Sequence, residues 1–564
     1  MEVSVDMMIQ DPLVTRLEGI TRATEGFVIK REPFFLDGPV TRRVAVLDLD
    51  AETGRLHPGV PFAPPTPPRK RGTYPVPRPL DLYSAPFIQT SVFATVLRTM
   101  YMFEDADTLG RELHWAFDGP QLLVVPRAGN WANAFYERES RSLQLFFFDT
   151  SAGRVYTSLS RDIVAHETGH AVLDGVAPAL YHAITPQSLA LHEAVADMTA
   201  LFLSLQSANL VDAVLRDTGG SIERSTAFNS IAEEFGRALD AAGQAHYLRN
   251  LNNDRTLDPD DDSVDRWGRL NRVERDEPHD LSEVLSGALY RVLMRLHDTT
   301  TRRFVGEGME PVAASGKALG ITGRRLRRMY LRALDYLPPG EVSFADYGRA
   351  ILAADQASHP TDGQERRWIR DELVRRRIVD DEAALEVETN VDVPGLDAVD
   401  LATLVASDWA AYDFANRHRG LLGIPADVPF EVLPRLHSTK RYYPRGGPEE
   451  VQECILKVAW DHSEPNSLGP AFPAARKVTV GTTLAIDWAT GRVRSRLTTD
   501  PAAQRQDRDQ LLLRMADTGV LVPDRMALGP DGRPLRSFVR AEALGDVMRV
   551  RGAARMLHLT PLAS

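Results

Sequence analysis

The sequence predicts an α+β chain: a mixed sheet-and-helix region, then a mainly helical one, then a β-rich C-terminal extension. Three observations predict it. Short β-like runs crowd the part before residue 160, a helical period dominates from 160 to 380, and Pro/Gly breaks separate β-like segments beyond 390. At 564 residues, 43% of them hydrophobic, the chain has material for a sizeable core, and roughly 150 residues per domain suggests three or four domains. Lys+Arg 66 against Asp+Glu 78 leaves a net charge of −12, so nucleic acid is not an expected partner. No apolar run reaches the roughly 18 residues of a membrane span, so no membrane-spanning segment is expected.

Residues 1–79 read as a β-containing segment followed by a proline-rich linker or surface strap. Arg43-Val-Ala-Val-Leu-Asp-Leu-Asp50 is strand-like and closes on the turn Glu52-Thr-Gly-Arg55. Between His57 and Leu80 lie nine prolines in 24 residues, a density that forbids a helix or a central strand. Residues 80–210 form the next unit, with a helical stretch at Phe93–Phe103 and strands at Gln121–Val125 and Ser142–Phe148.

Long helices are expected at 161–174, 187–206, 281–297, 323–336 and 343–355, the last three within a helical unit of residues 211–385. The acidic loop Asp258-Pro-Asp-Asp-Asp-Ser-Val-Asp265 interrupts them. Its carboxylates suit Ca2+, but no ligand spacing stands out and a solvated loop is the simpler reading. Residues 390–564 form an accessory region with strands at Lys477–Val480 and Leu484–Leu497. Asp50–Arg55, Asp149–Arg154 and Asp487–Arg492 share an Asp-to-Gly-Arg pattern that reads as hairpin chemistry. Cys454, the one cysteine, sits in an apolar strand-like context and reads as a buried inert thiol.

The chemistry concentrates on two helices. Ser160 caps the first, Gly175 reads as its stop, and His166-Glu-Thr-Gly-His170 lies between. Histidines four apart share one helical face, the H-E-x-x-H arrangement in which two imidazoles bind Zn2+ and Glu167 addresses water. The second helix opens on Thr185-Pro186 and carries Glu193 and Asp197, also four apart, within an apolar stretch. Two acids buried there need a partner or a metal. Glu193 supplies the third ligand, and Asp197 accepts the free ring N–H of His166.

His166-Glu-Thr-Gly-His170 followed by Glu193-x-x-x-Asp197 resembles the thermolysin-like zinc metallopeptidases, the gluzincins of bacterial type. The resemblance covers residues 80–380. It implies a two-lobed fold, a sheet-containing lobe with the active-site helix and a helical lobe, and a zinc endopeptidase that favours hydrophobic side chains just after the cleaved bond. It assigns Tyr181 and His279 to hold the tetrahedral intermediate, with Glu283 the rival for the histidine's place. It assigns Asn133 and Ala134, in Asn133-Ala-Phe-Tyr136, to the edge strand that grips peptide, and Arg249 to the substrate carbonyl.

Rival zinc families fit less well. Metzincins need a glycine and a histidine where Leu173 and Val176 stand. The one Gly-Met-Glu, Gly308-Met-Glu310, follows the zinc motif instead of preceding it, which disfavours an aminopeptidase. Members of the resembled family are commonly exported, whereas this N-terminus lacks a basic start and an apolar stretch. The expected location is therefore cytoplasmic, with a non-standard export route left open. The other functional reading is a zinc-binding protein that keeps the fold to bind a partner without cleaving it. His192 and His182 adjoin the site residues but are expected to point elsewhere.

Overall fold

The computed structural model describes residues 1–12, 23–51, 53–151, 153–224, 226–231, 249–265, 268–273, 277–360, 363–391, 393, 395–396, 399–443, 447–523 and 539–552. It is a mixed α and β chain. Strand β1 (Val3–Met8) pairs antiparallel with β2 (Thr24–Ile29) and parallel with the short β6 (Gly72–Thr73). Between them lie β3 (Val44–Val46) and the hairpin β4 (Leu49–Asp50)–β5 (Arg55–Leu56). The proline-rich segment is a strap fixed at both ends: Val60 and Tyr74 are buried in the main core, and Ala63 pairs with Thr73.

Helix α1 (Ala85–Glu104) is longer than its apolar centre predicts, because Pro86 supplies a preset first turn. After it come β7 (Leu122–Val125), β8 (Ala134–Glu137), β9 (Ser142–Leu145), β10 (Phe147–Thr150) and β11 (Gly153–Tyr156). The run Ser142–Phe148 is thus two strands, not one. Phe146 leaves the ladder: its carbonyl accepts from the Thr157 N–H at 3.0 Å and its N–H donates to the Thr157 hydroxyl at 2.9 Å, which redirects the chain. Strands β3, β7 and β9 run parallel and β8 closes the sheet antiparallel, in the order β3-β7-β9-β8, so β8 is an edge strand.

Helices α2 (Arg161–Val176), α3 (Pro186–Ser204) and α4 (Ala208–Asp217) follow. The Ser160 side chain accepts a hydrogen bond from the Ile163 N–H and caps α2. Thr185 occupies the corresponding place before α3, but its hydroxyl bonds Ser188 and not the backbone. Gly175 does not stop α2. It stays helical, and a Cβ there would lie 2.1 Å from the His114 carbonyl oxygen, so the glycine allows a close approach.

The short α5 (Thr226–Asn229) and the pair β12 (Ser230–Ile231)–β13 (Arg249–Asn250) lead to the helical part: α6 (Pro278–Gly306), α7 (Pro311–Tyr336), α8 (Phe344–Ser358) and α9 (Gln364–Arg375). Consecutive members pack on one another, and α3 packs on α6.

Beyond residue 387 come β14 (Glu388–Val391), the short helices α10 (Leu401–Ala406), α11 (Asp408–Arg417) and α12 (Arg419–Leu422), and then β15 (Phe430–Val432) and β16 (Leu436–Tyr442). The long strands β17 (Glu449–Pro465) and β18 (Ala475–Asp487) pair antiparallel, followed by β19 (Val493–Thr498), α13 (Arg505–Asp517), β20 (Leu521–Pro523), β21 (Val539–Leu544) and β22 (Val547–Gly552). Leu484–Leu497 is therefore the end of β18, a turn and β19. All three Asp-to-Gly-Arg segments join antiparallel strands: β4–β5, β10–β11 and β18–β19. Gly54 and Gly491 take left-handed backbone there, with φ of 66° and 67°.

The C-terminal sheet has its own core around Leu456, Leu484 and Phe414, and it is also joined to the rest. Ile455, Ala485 and Leu497 belong to the main apolar cluster that begins at Val3. Lys440 reaches Asp335 of α7 at 2.8 Å and Glu453 at 3.0 Å, all fully buried. Cys454 is buried, and burial pushes its thiol up to about 12, consistent with an inert side chain. Leu511, Leu512 and Met548 cover Ile184 and Leu189 at the start of α3. Among the described residues, no single helix is long and apolar enough to cross a membrane.

Candidate metal centre

Two helices meet at a glycine. A Cβ on Gly169 would stand 3.1 Å from Ala196 Cα and 3.1 Å from Thr199 Oγ1, so α2 and α3 approach more closely there than a larger residue allows. The contact sets Glu193 of α3 against the face of α2 that carries His166 and His170. His170 Nε2 lies 3.1 Å from His166 Nε2. Glu193 Oε2 stands 3.4 Å from His166 Nε2, and Glu193 Oε1 stands 3.5 Å from His170 Nε2. All three residues are buried, and together they could hold a metal ion.

The dimensions fit one. Ligand bonds of about 2.0–2.1 Å in a tetrahedral shell separate the ligand atoms by about 3.3 Å, close to the 3.1, 3.4 and 3.5 Å edges found here. Among the described residues, neither oxygen of Glu193 accepts a hydrogen bond, although both are buried. Such a carboxylate needs a cation.

The outer contacts fix the ligands. Asp197 Oδ1 stands 2.9 Å from His166 Nδ1, leaving Nε2 for the centre. Arg249 grips Asp197 with two bonds of 2.7 Å and comes within 3.4 Å of Glu193 Oε2. The opposite side of the centre is closed by a histidine: His192 Nδ1 is 3.5 Å from His170 Nδ1.

Electrostatics reflect a pocket built for positive charge. Burial would raise the Glu193 carboxyl, but His279, His166, His170 and Arg249 outweigh it and hold the group well below the usual carboxylate range. Asp197 is likewise held low against its burial, chiefly by Arg249 and His166. Burial opposes charge on His166, yet Asp197 and Glu193 raise it to about 9. Glu167 moves the other way: burial pushes it up to about 7, and His166 only partly offsets that. A proton on His166 offsets the carboxylates, and a dication would take its place.

The remaining predicted residues divide. His279, at the start of α6, comes within 3.9 Å of Glu193 Oε1, and its Nδ1 lies 3.1 Å from Glu277. Glu283 lies deeper in α6 and pairs with Arg255 and Arg269 at 3.1 Å each. Of the two, His279 is the one placed beside Glu193, while Glu283 is engaged by the two arginines.

Tyr181 is engaged by the residues that follow β8. Its hydroxyl accepts from the Arg138 N–H at 2.8 Å and donates to Glu139 at 3.1 Å, while the Arg138 guanidinium lies 4.0 Å over its ring. Arg138 also bonds Asp174 and the His182 ring, tying the end of β8 to the end of α2. Arg249 is likewise committed to Asp197 and is buried. Ala134 begins β8, and the Asn133 side chain accepts from the Ala134 N–H at 2.8 Å. The backbone of Tyr136, in the same strand, hydrogen-bonds Glu167, which places the edge beside the centre.

One expectation needs correction. His192 does not point elsewhere. The close crossing at Gly169 turns the flank of α3 onto His170, which helical spacing alone does not reveal. In the acidic loop, the carboxylates engage their own surroundings. Asp258 and Asp261 cap local turns, while Asp262 and Asp265 pair with Arg272 and Arg269. Among the described residues, the cluster of His166, His170 and Glu193 is the one group of three or more such side chains with metal-holding geometry. No protein-family model matches the chain, and no curated protein matches it either.

Proposed function

We propose that the chain is a zinc-dependent endopeptidase of the thermolysin-like kind, acting on peptide or protein substrates. The observation that carries this reading is the buried convergence of His166, His170 and Glu193 with Glu167 on the same helix. Two imidazoles and one carboxylate form a donor set suited to zinc with one position left open. The mixed sheet beside α2 and the stacked helices α6 to α9 support a two-lobed arrangement.

When bound, zinc supplies Lewis-acid chemistry, polarising a carbonyl and acidifying water. Glu167 carries the proton: a buried carboxylate next to His166 takes one from water and returns it to the leaving amine. His279 stands at the rim, held at Nδ1 by Glu277, with Nε2 available to donate to a developing oxyanion. The edge of β8 receives an extended peptide by strand addition.

One observation favours the rival reading, a zinc-binding protein that does not cleave its partner. The Tyr181 hydroxyl is engaged by Arg138 and Glu139, which leaves His279 as the side-chain donor at the rim. Metal analysis of the purified chain, with casein or blocked-peptide hydrolysis measured before and after chelation, decides between them. One zinc per chain, with cleavage lost on chelation and restored by zinc, is the expected result. Bound zinc without cleavage would leave the rival standing, and absence of zinc would overturn both.

A further inference from the structure

Helix α7 carries the basic run Arg324-Arg-Leu-Arg-Arg328 and, one turn further on, Arg332. Arg325 pairs with Glu365, and Arg324 is exposed. Arg332 is 1% exposed and donates to the backbone carbonyls of Ala106, Asp107 and Arg441, which leaves its Nη1 buried without a partner. Arg328 is 8% exposed and lies 4.5 Å over the ring of Tyr443, the residue that follows β16. Its neighbour Arg327 is half-buried. Neither Arg327 nor Arg328 makes a hydrogen bond or an ion pair with another described residue, and the Nε of each is buried.

The nearby carboxylates are committed to other groups. Asp107 accepts the Tyr443 hydroxyl at 2.6 Å and stands 3.5 Å from Arg441. Asp355 is held by Arg366 at 2.6 Å and stands 3.4 Å from His359, whose ring stacks on Tyr443. Asp105 accepts from the Asp107 N–H at 2.8 Å. Burial holds Arg327, Arg328 and Arg332 below the usual guanidinium range, and the acids around them do not make up the difference. A buried guanidinium without a counterion is costly.

We infer that Arg327 and Arg328 bind a phosphate-type oxyanion where α7, the loop after α1 and the end of β16 meet. A carboxylate has two oxygens and matches one guanidinium fork. Two adjacent forks call for more acceptors, and a tetrahedral oxyanion supplies them. Free phosphate and the phosphoryl group of a small molecule share that chemistry. The metal centre takes no part in this site.

The test is calorimetric titration of the full chain with inorganic phosphate and with glycerol 3-phosphate, beside thermal unfolding against chloride at matched ionic strength. Saturable binding and a raised unfolding midpoint are expected, since a ligand held by the folded chain alone stabilises it. Tighter binding of inorganic phosphate assigns the site to the free ion, and tighter binding of the ester assigns it to a phosphoryl group. Arg327→Gln and Arg328→Gln are each expected to weaken binding about 10–100-fold, the usual effect of losing a charged hydrogen bond. Arg324→Gln, which removes the same charge from an exposed position on the same helix, should leave binding unchanged. No saturable binding of either probe overturns the inference, as does equal weakening in all three variants, which marks a general charge effect. If Arg328→Gln does not fold, as judged by circular dichroism, Arg327→Gln decides, and wild-type affinity in that variant overturns the inference.

Discussion

Asp197 holds the outer ring nitrogen of His166 at 2.9 Å and is itself held by the two nitrogens of Arg249, each at 2.7 Å. One carboxylate thus fixes a histidine of the candidate metal centre and neutralises a buried guanidinium, so it has two separable effects on the protein.

Replacing Asp197 with Asn keeps the shape but removes the charge. Zinc affinity is expected to fall about 10–100-fold, because the His166 ring loses its anionic partner. Stability should fall by about 3–5 kcal/mol, because Arg249 is left buried beside a neutral amide. Chelator competition and urea denaturation measure the two losses independently.

Glu167→Gln probes the proton carrier. Glu167 is not among the three converging ligands, so the variant should keep its metal with little change in affinity. Peptide hydrolysis should fall by about 10²–10⁴-fold, the range typical of removing a general base. Full activity in a zinc-loaded Gln variant would sink the proposed chemistry.

Gly169→Ala tests the helix crossing. The added methyl would meet Ala196 Cα and Thr199 Oγ1 at 3.1 Å, and the first of these is backbone that cannot swing away. Overpacking of this kind costs about 1–3 kcal/mol. Because the same crossing sets the distance from Glu193 to the histidines, zinc affinity should fall together with the denaturation midpoint.

Asp162 gives a pH dependence outside the centre. It is buried in the first turn of α2, where Gln10 and Ser204 donate to it at 3.0 and 3.2 Å. Burial, only partly offset by those bonds, raises its carboxyl from 3.8 to about 7. The folded chain therefore keeps a proton that the unfolded chain releases across that window, and stability falls as pH rises through it. Asp162→Asn should remove this slope, gaining on the order of a few kcal/mol relative to wild type at pH 8 and little at pH 4. Guanidinium denaturation at several pH values reads the difference.

The order of helices and strands was largely legible in the sequence, since it follows from local periodicity and punctuation. Helix α2 with its cap at Ser160 shows this, as do the three Gly-Arg hairpins. The break at Phe146 was not legible, because its cause is the distant Thr157. Gly175 misled for the same reason: a glycine that makes room for His114 looks, in sequence, like one that ends a helix.

The sequence by itself determined which side chains could share a metal. Spacing of four on a helix puts His166 with His170 and Glu193 with Asp197, whatever the helices later pack against. Only the tertiary structure decided the rest. It brought the two pairs together through Gly169, placed His279 beside Glu193 and Glu283 against Arg255 and Arg269, committed Arg249 to Asp197, turned Tyr181 toward Arg138 and Glu139, and set His192 behind His170. The physical reason is range. Helical geometry fixes neighbours within one turn, whereas contacts between helices depend on packing that no local pattern records.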